Sequence, residues 1–243
     1  MSAGQKKYQI FSEENSMKLF SKKLLTVLAV ILSVSALTAT ALTGCAPKAQ
    51  DFVFEAEEAI LIDTEDEAAK TAQGYKAMTL EQTTEWTEDG SEGPEVTNVG
   101  YFSAKGDTIK FVINSSTECT ATLTLRAASG VADMATMDWT TFTFTMKEID
   151  LSLGEVVKVT NNDAEVALTG ILPSTPNSSW MNPACYHHFG EGKGNIKLKK
   201  GENVILLTIV GTMGINVDKI TINAASELTF TKTDNSERLP SAA

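Results

Sequence analysis

Cysteine, histidine and positive charge are all scarce in this chain of 243 residues. It holds three cysteines, at positions 45, 119 and 185, and two histidines. So few cysteines exclude a disulfide-dense scaffold, and the lack of a CxxC pair argues against a structural zinc site. The sequence also contains no GxSxG, P-loop or HExxH pattern. It therefore carries no signature of a serine hydrolase elbow, a phosphate-binding loop or a zinc protease.

The charge balance is strongly acidic. The chain has 20 basic and 31 acidic residues, for a net charge of -11. Its first 44 residues hold five lysines and two glutamates, so the remainder is more acidic still. Such a surface repels nucleic acid and anionic lipid headgroups, which excludes nucleic acid as a partner. A neutral sugar, a cation or a basic protein remains compatible with it.

The N-terminus has the layout of an export signal. Lys18, Lys22 and Lys23 precede an apolar stretch over residues 24–42, and Leu42-Thr43-Gly44-Cys45 follows. This ending resembles the lipobox of bacterial lipoproteins, which implies that residues 1–44 are a signal peptide and that Cys45 is lipidated. A transmembrane anchor is the alternative, because the apolar stretch is close to the length that spans a bilayer. Both interpretations place the remainder outside the cytoplasm, and the first predicts a lipid anchor on the extracellular face of the cell membrane.

The rest of the chain divides into three predicted parts. Residues 45–51 form a short tether, residues 52–224 form one domain, and residues 225–243 form a polar tail that is expected to be peripheral. Met17 stands directly before the basic part of the export signal. Residues 1–16 are therefore interpreted as an upstream extension and take no part in the fold prediction.

Alternation of apolar and polar residues dominates the predicted domain. Ile109, Phe111 and Ile113 alternate with polar neighbours, and Leu123 and Leu125 do the same. Further segments continue the pattern, at residues 142–146, 156–159, 165–168, 196–198, 204–210 and 215–222. Helical periodicity is limited to a possible turn near residues 65–72. The pattern predicts an all-β domain, folded as a two-sheet β-sandwich or jelly roll.

Three long segments interrupt this alternation and are interpreted as loop insertions. They are Thr79–Thr97, Ser129–Asp138 and Pro173–Gly194. Long loops on a rigid β scaffold commonly carry binding residues, so the site is expected among them. Cys119 and Cys185 lie in different parts of this pattern, and the sequence leaves open whether they form a disulfide.

Two carboxylates near the start of the domain suggest a cation site. Glu55 and Glu57 are two residues apart in a predicted strand, so both side chains project from the same face. Carboxylates held that close favour a bound cation, and hard oxygen donors favour calcium. The alternative is a solvated face of an edge strand.

Several motifs, in the same order along the chain, resemble carbohydrate-binding modules of families 6 and 35. The segments are Phe54-Glu55-Ala56-Glu57, Val99-Gly100-Tyr101-Phe102, Gly106-Asp107-Thr108-Ile109-Lys110-Phe111, Leu123-Thr124-Leu125-Arg126-Ala127, residues 196–205, and Asn216-Val217-Asp218-Lys219-Ile220. The resemblance implies a jelly roll with a structural calcium ion between its first and last strands. Glu55, Glu57 and Asp218 would then be the side-chain calcium ligands.

The same resemblance implies a sugar site in loops at one end of the domain. Tyr101 would form one aromatic wall, and Asn216 would contact sugar hydroxyls with its amide. The second wall would come from Trp180 or Tyr186, while Phe189 is expected in the core. The sequence alone is equally consistent with Tyr101 as a half-buried sheet residue and with Asn216 as a turn residue.

The predicted function is non-catalytic binding of poly- or oligosaccharide at the cell surface by a calcium-stabilised lipoprotein. Surface glycoside hydrolases or transporters would be its protein partners. His187, His188 and Glu191 suggest a zinc or general-base site, but adjacent side chains diverge in extended backbone, which disfavours it. Two alternatives stay open: a glycan-cleaving enzyme on the same scaffold, and a protein-interaction or adhesion module.

Overall fold

The alternating segments form extended strands in the computed structural model, which describes residues 48–72, 77–87, 91–179 and 186–239. The first nine strands are β1 (Gln50–Glu55), β2 (Ile60–Ile62), β3 (Thr79–Trp86), β4 (Glu92–Phe102), β5 (Thr108–Ser115), β6 (Cys119–Ser129), β7 (Ala132–Asp138), β8 (Thr143–Met146) and β9 (Ile149–Asp150). The others are β10 (Val157–Asn161), β11 (Ala164–Val166), β12 (Thr169–Leu172), β13 (Thr175–Ser179), β14 (Phe189–Leu198), β15 (Gly201–Ile209), β16 (Ile215–Ala224) and β17 (Leu228–Phe230).

Helical structure in the described residues is short. One α-helix, α1, spans Glu67–Ala72, which agrees with the turn expected near residues 65–72. Short 3₁₀ turns occur at Ala56–Glu58, Leu151–Leu153 and Ser236–Arg238. No helix of the part that the structure describes is long and apolar enough to cross a membrane.

The larger sheet has β16 near its middle. Its strand order is β3-β4-β16-β6-β14-β12-β9, and β1 also pairs with β16. One edge of β16 is therefore shared by two strands: Lys219–Ala224 pair with β1, whereas Ile215 and Val217 pair with β4. Because of this sharing, the start of the domain lies beside a strand that is more than 160 residues later in the chain.

The second sheet has the order β11-β10-β15-β5-β17, and β2 pairs with β5 as well. A small third sheet is formed by β13, β8 and β7. All ladders between the described strands are antiparallel, as sequential hairpins and Greek-key connections require.

The two larger sheets pack face to face around one hydrophobic core. The inward side chains of the larger sheet include Leu123 and Ile220, and those of the second sheet include Phe111 and Leu207, all of them fully buried. Each of these residues is flanked along its strand by more exposed neighbours, as the period-two pattern predicts. The predicted all-β sandwich is confirmed.

The structure of the turn between β14 and β15 explains the Gly-x-Asn sequence at residues 201–203. Gly201 adopts a φ of 91°, a left-handed conformation that favours glycine. Buried Asn203 accepts a hydrogen bond from Lys199 N and donates Nδ2 to Lys199 O and Gly201 O, each at 2.9 Å. The Gly-x-Asn element is therefore a structural turn that sets the register of this hairpin.

The three predicted loop insertions are largely strands, so that interpretation is wrong. Thr79–Thr97 forms β3 and the first half of β4, and Ser129–Asp138 contains β7. Pro173–Gly194 contains β13 and the first half of β14. These strands contain many polar residues, so they lack a clear apolar alternation. Few of their side chains are buried, because β3 is largely half-buried and the third sheet is small.

The domain also extends past both of its predicted ends. Strand β1 begins at Gln50, inside the expected tether, and β17 lies inside the expected tail. Phe230 in β17 packs against Phe54, with ring centroids 5.3 Å apart, and against Phe111 at 5.9 Å. The region after Ala224 therefore completes the core instead of lying at the periphery.

Polar contacts attach the following residues to the start of the domain. Asn235 donates Nδ2 to Glu57 O at 2.9 Å and to Ala59 O at 2.7 Å. Arg238 binds Asp63 Oδ2 at 2.8 Å and Met78 O at 2.9 Å. The polar side chains that suggested a loose tail therefore make specific hydrogen bonds to residues near the start of the domain.

These contacts predict that Phe230→Ala destabilises the domain. The substitution removes a half-buried ring from between Phe54 and Phe111, at a cost of about 2 kcal/mol in the free energy of unfolding. Chemical denaturation measures this difference. Phe142→Ala, which removes a 57% exposed ring, is the matched control and should change stability little. Equal stability of the two variants would contradict the assignment of β17 to the core.

Candidate functional site

The site region lies on the outer face of the larger sheet, at the point where β16 changes partners. A register shift occurs in β16 between Val217 and Lys219, opposite β6, and it places Asp218 as an extra residue in the ladder. The partner on the other edge changes at the same place, from β4 to β1. The adjacency of the first strand and β16, which the resemblance implied, is therefore present.

Three carboxylates predicted as calcium ligands come together at this bulge. Glu55 pairs in register with Lys219, and Glu57 follows in the 3₁₀ turn that contacts β16. Lys219 Nζ lies 3.7 Å from Glu55 Oε2 and 3.4 Å from Asp218 Oδ2. The structure thus brings Glu55, Glu57 and Asp218 into one electrostatic cluster.

Glu57 is the carboxylate of this cluster whose ionised form is least stabilised by its surroundings. Burial raises the pKa of Glu57 to about 7, and the nearby charges of Glu55, Asp218 and Glu58 add to the rise. Its Oε2 is buried and has no hydrogen-bond partner. Burial likewise raises the pKa of Glu55, against the opposing effect of Lys219. A cation would relieve both the repulsion and the unsatisfied oxygen, so Glu57 fits the role of a metal ligand.

Asp218 fits that role less well, because it already has a basic partner. It is only 2% exposed, and its Oδ2 accepts a hydrogen bond from Arg126 Nη1. Arg126 also binds Glu85 Oε1 through Nη2 at 2.5 Å. Within residues 48–72, 77–87, 91–179 and 186–239, no group of three or more His, Cys, Asp and Glu side chains has an arrangement that could hold a metal ion.

Phe189 is a correction to the predicted core. Its ring lies on the outer face of the sheet and is half-buried, with the guanidinium carbon of Arg126 4.5 Å from the ring centroid. Such cation–π stacking orients Arg126 toward its two carboxylate partners. Sequence reasoning missed the role of Arg126. The alternation with Leu123 and Leu125 places Arg126 on the outer face of β6, but it does not show which carboxylates of other strands lie near the guanidinium.

A cleft of about 590 Å³ opens beside this cluster, where β4 ends and β16 begins. Tyr101, Tyr186 and Asn216, three of the residues predicted for the sugar site, all line it. Trp180, the alternative to Tyr186, lies outside the described residues, as do Cys45 and Cys185. Two tyrosines on one concave surface provide flat apolar faces together with phenolic hydroxyls.

Tyr101 is held in an unusual backbone conformation. Its φ is 55°, which L-residues rarely adopt, and its side chain is 41% exposed. The residues after it are fixed by buried Asp107, whose carboxylate accepts backbone N–H groups from Ala104 and Thr64 at 2.9 Å. Burial raises the pKa of Asp107, and these hydrogen bonds oppose the rise. Strain of this kind at an exposed aromatic residue is typical of binding sites.

Asn216 holds the opposite wall of the cleft. Its side chain is largely buried, and Nδ2 donates to the backbone oxygen of Tyr186 at 3.0 Å. The Tyr186 ring also packs near Phe144 of the third sheet, with centroids 6.5 Å apart. Asn216 therefore positions Tyr186, a role that the sequence did not indicate.

The floor of the cleft is polar and contains a carboxylate. Glu81 of β3 lines the cleft, and its Oε2 lies 3.0 Å from Nε2 of buried His187. The carboxylate lies over the backbone of Gly100, where a Cβ would fall only 2.5 Å from Oε1. Sequence reasoning missed Glu81, because its segment was interpreted as an acidic insertion. The signal that could have revealed it is Gly100, which leaves room for the Glu81 carboxylate on the neighbouring strand.

The structure resembles solved carbohydrate-binding modules. One is a family 35 module from Clostridium thermocellum, with 21% identity, a TM-score of 0.41, and coverage of 71% of this chain and 97% of that one. Another is the family 35 module of Abf62 from Cellvibrio japonicus, with 13% identity, a TM-score of 0.41, and coverage of 74% and 97%.

A third similar structure is the C-terminal family 6 module of LamC, a marine laminarinase of Zobellia galactanivorans, with 12% identity, a TM-score of 0.38, and coverage of 72% and 100%. No protein-family model and no curated protein matches the chain. These three structures are modules of families 6 and 35.

The raised pKa of Glu57 predicts a pH dependence of stability in the absence of divalent cations. Between pH 4.5, the ordinary value, and about 7, folded Glu57 retains a proton that the unfolded chain has released. The free energy of unfolding should therefore fall as pH rises through this window, and Glu57→Gln should lack that contribution.

Thermal melts of both proteins in chelator, from about pH 4.5 to about pH 8, measure this difference. The melting temperature of the wild type should decline relative to that of Glu57→Gln as pH rises. Parallel curves over the whole range would show that Glu57 has no raised pKa in solution.

Proposed function

We propose that this protein is a non-catalytic carbohydrate-binding protein whose ligand occupies the cleft formed by Tyr101, Tyr186 and Asn216. The observation that carries this proposal is the convergence of the two tyrosines on one concave surface, held there by Asp107 and by Asn216. Stacking of an aromatic ring on the C–H face of a pyranose is the interaction that such a surface favours. Since the cleft is open and few groups are desolvated, affinities should lie between about 10 µM and the millimolar range.

The lining of the cleft supports binding rather than cleavage. Glycosidic cleavage commonly requires two carboxyl groups that flank the scissile bond. Of the described residues around the cleft, Glu81 contributes the one carboxylate, and it is paired with His187. A screen for new reducing ends with a range of glycans tests this point, and turnover that one carboxylate substitution abolishes would favour an enzyme.

A structural calcium ion is part of the proposal, with Glu57 and Glu55 as its main side-chain ligands. The three carboxylates do not form a metal-binding arrangement as they stand, so Asp218 would act as a third ligand only if its contact with Arg126 opened when the ion binds. When bound, the ion supplies positive charge that links the start of the domain to β16. The unpartnered Oε2 of Glu57 and its raised pKa support this assignment. Carboxylates that must ionise to bind the ion would release protons on binding.

The proposal also includes export and lipid anchoring at Cys45, on the strength of the basic and apolar N-terminal pattern. A protein held in this way on the extracellular face of the membrane would keep a glycan near surface glycoside hydrolases or transporters. The acidic charge of the remaining chain agrees with a role in which the anchor, and not the domain surface, contacts the membrane.

A protein-interaction module is the second candidate function, because of the hairpin between β7 and β8. Its tip exposes Trp139 by 68% and Phe142 by 57%, and Phe142 has a φ of 53°. Exposed aromatic residues in strained turns are also found at protein interfaces. Glycan arrays blank at millimolar ligand, together with a specific protein pull-down that Trp139→Ala abolishes, would favour this candidate.

Tyr101→Ala should weaken glycan binding by about 10-fold or more, because it removes one aromatic wall. The melting temperature should change little, since the ring is 41% exposed. Calorimetric titration with the best array ligand gives the affinity. Phe142→Ala is the matched control, because Phe142 is an exposed aromatic residue with nearly the same φ but does not line the cleft. A large loss of stability with binding retained would instead make Tyr101 a packing residue.

Removal of calcium should lower the melting temperature of the wild type by several degrees, because an ion that binds the folded state stabilises it. Glu57→Gln should melt at a temperature that does not depend on calcium. Glu95→Gln removes one exposed carboxylate from β4 and should keep the full calcium response. Identical wild-type melting curves with calcium and with chelator would remove the ion from this account.

A further inference from the structure

We propose that Glu81 is a specificity-determining residue, which makes the cleft reject anionic sugars such as uronates and accept neutral or cationic ones. This inference rests on the proposed function and names the charge class of its ligand. It depends on where the Glu81 carboxylate lies, on what surrounds it, and on the absence of a compensating basic group near it.

The Glu81 carboxylate is fixed on the cleft floor beside Tyr101. Its Oε2 is held by His187 Nε2 at 3.0 Å, and the group fills the space above Gly100, the residue directly before Tyr101. The side chain of Glu81 keeps 26% of its surface exposed, so a ligand in the cleft would meet it. A sugar stacked on Tyr101 would therefore have a carboxylate within a few ångströms of its ring substituents.

No described residue that lines the cleft is a lysine or an arginine. On the same face of the sheet, Arg126 is the nearby guanidinium, but it is bound to both Glu85 and Asp218. Lys219 is likewise engaged with Glu55 and Asp218. Arg126 and Lys219 are thus both engaged by carboxylates, whereas Glu81 has only an imidazole as its ion-pair partner.

A uronate in this cleft would place a second carboxylate close to Glu81 in a partly desolvated space. Like charges in that arrangement repel strongly, while a neutral hydroxymethyl group can donate a hydrogen bond to the Glu81 carboxylate at the same position. The net charge of the chain, -11, adds a weaker long-range repulsion of anions. An ammonium group on an amino sugar would be attracted by the Glu81 carboxylate and by the net negative charge of the chain.

The test compares matched glycans that differ in charge alone. Cellohexaose, mannohexaose and their C6-oxidised uronate forms are titrated into the wild-type protein at about pH 8, where the uronate carboxylates are ionised. Cellohexaose and the glucosamine hexamer are compared separately at about pH 5, where the amines are protonated and the hexamer supplies the cationic counterpart. The neutral form of whichever backbone binds should bind about 10-fold tighter than its uronate, and 0.5 M salt should narrow that ratio.

Glu81→Gln should bring the affinity for the uronate to within about 3-fold of the affinity for the neutral form, because glutamine carries no charge, and this ratio is the readout whatever the change in neutral affinity. Glu95→Gln, which removes an exposed carboxylate from the adjacent strand, is the control and should keep the wild-type ratio. Gly100→Ala provides a second variant, because its Cβ would displace the Glu81 carboxylate without removing the charge.

The outcomes separate this inference from the function on which it rests. Uronate binding as tight as neutral binding in the wild type, or a ratio that Glu81→Gln leaves unchanged, would overturn the role of Glu81 while carbohydrate binding stands. Failure of the neutral, anionic and cationic glycans alike to bind would count against the proposed function itself.

Discussion

The pairing of β16 with three other strands is the constraint on which the rest of the structure depends. One edge of β16 is fully paired with β6, and the other is divided between β1 and β4. The change of partner falls at the bulge that contains Asp218, so the acidic turn after β1 lies next to this bulge. The end of β4 beyond it carries Tyr101, and the start of β16 carries Asn216. Backbone hydrogen bonding thus places the charged cluster and the cleft side by side, without a dedicated loop to connect them.

Electrostatics on this face follow from that placement. Arg126 from β6 neutralises Asp218 and Glu85, and Phe189 supports it from the next strand. Glu57 has no such partner for its buried oxygen, and its pKa is raised accordingly. Glu81, farther along the sheet, has only His187. The same excess of carboxylates therefore favours a cation at one end of the outer face and disfavours anions at the other.

Much of the fold could be predicted from the sequence, because inward residues such as Leu123 and Ile220 alternate with polar ones. The cluster of Tyr101, Tyr186 and Asn216 could be anticipated through the motif resemblance. Strand β3 could not, since its alternation is weak and its role depends on pairing with β4. Arg126 and Phe189 were missed because alternation indicates the face of a strand but not which side chains of neighbouring strands meet there, and Glu81 was missed because its segment was interpreted as an insertion. The tail was misjudged because hydrogen bonds from Asn235 and Arg238 do not depend on hydrophobic pattern.

The central claim is that carbohydrate binds in the cleft between the end of β4 and the start of β16. Amide chemical-shift perturbation of the isotope-labelled protein, titrated with cellohexaose and mannohexaose, tests it most directly. The account predicts that the largest shifts fall on residues around the cleft, among them Gln82, Tyr101, Ser103 and Asn216. Shifts confined to the hairpin tip at Trp139 and Phe142, or no shifts at millimolar glycan, would contradict it.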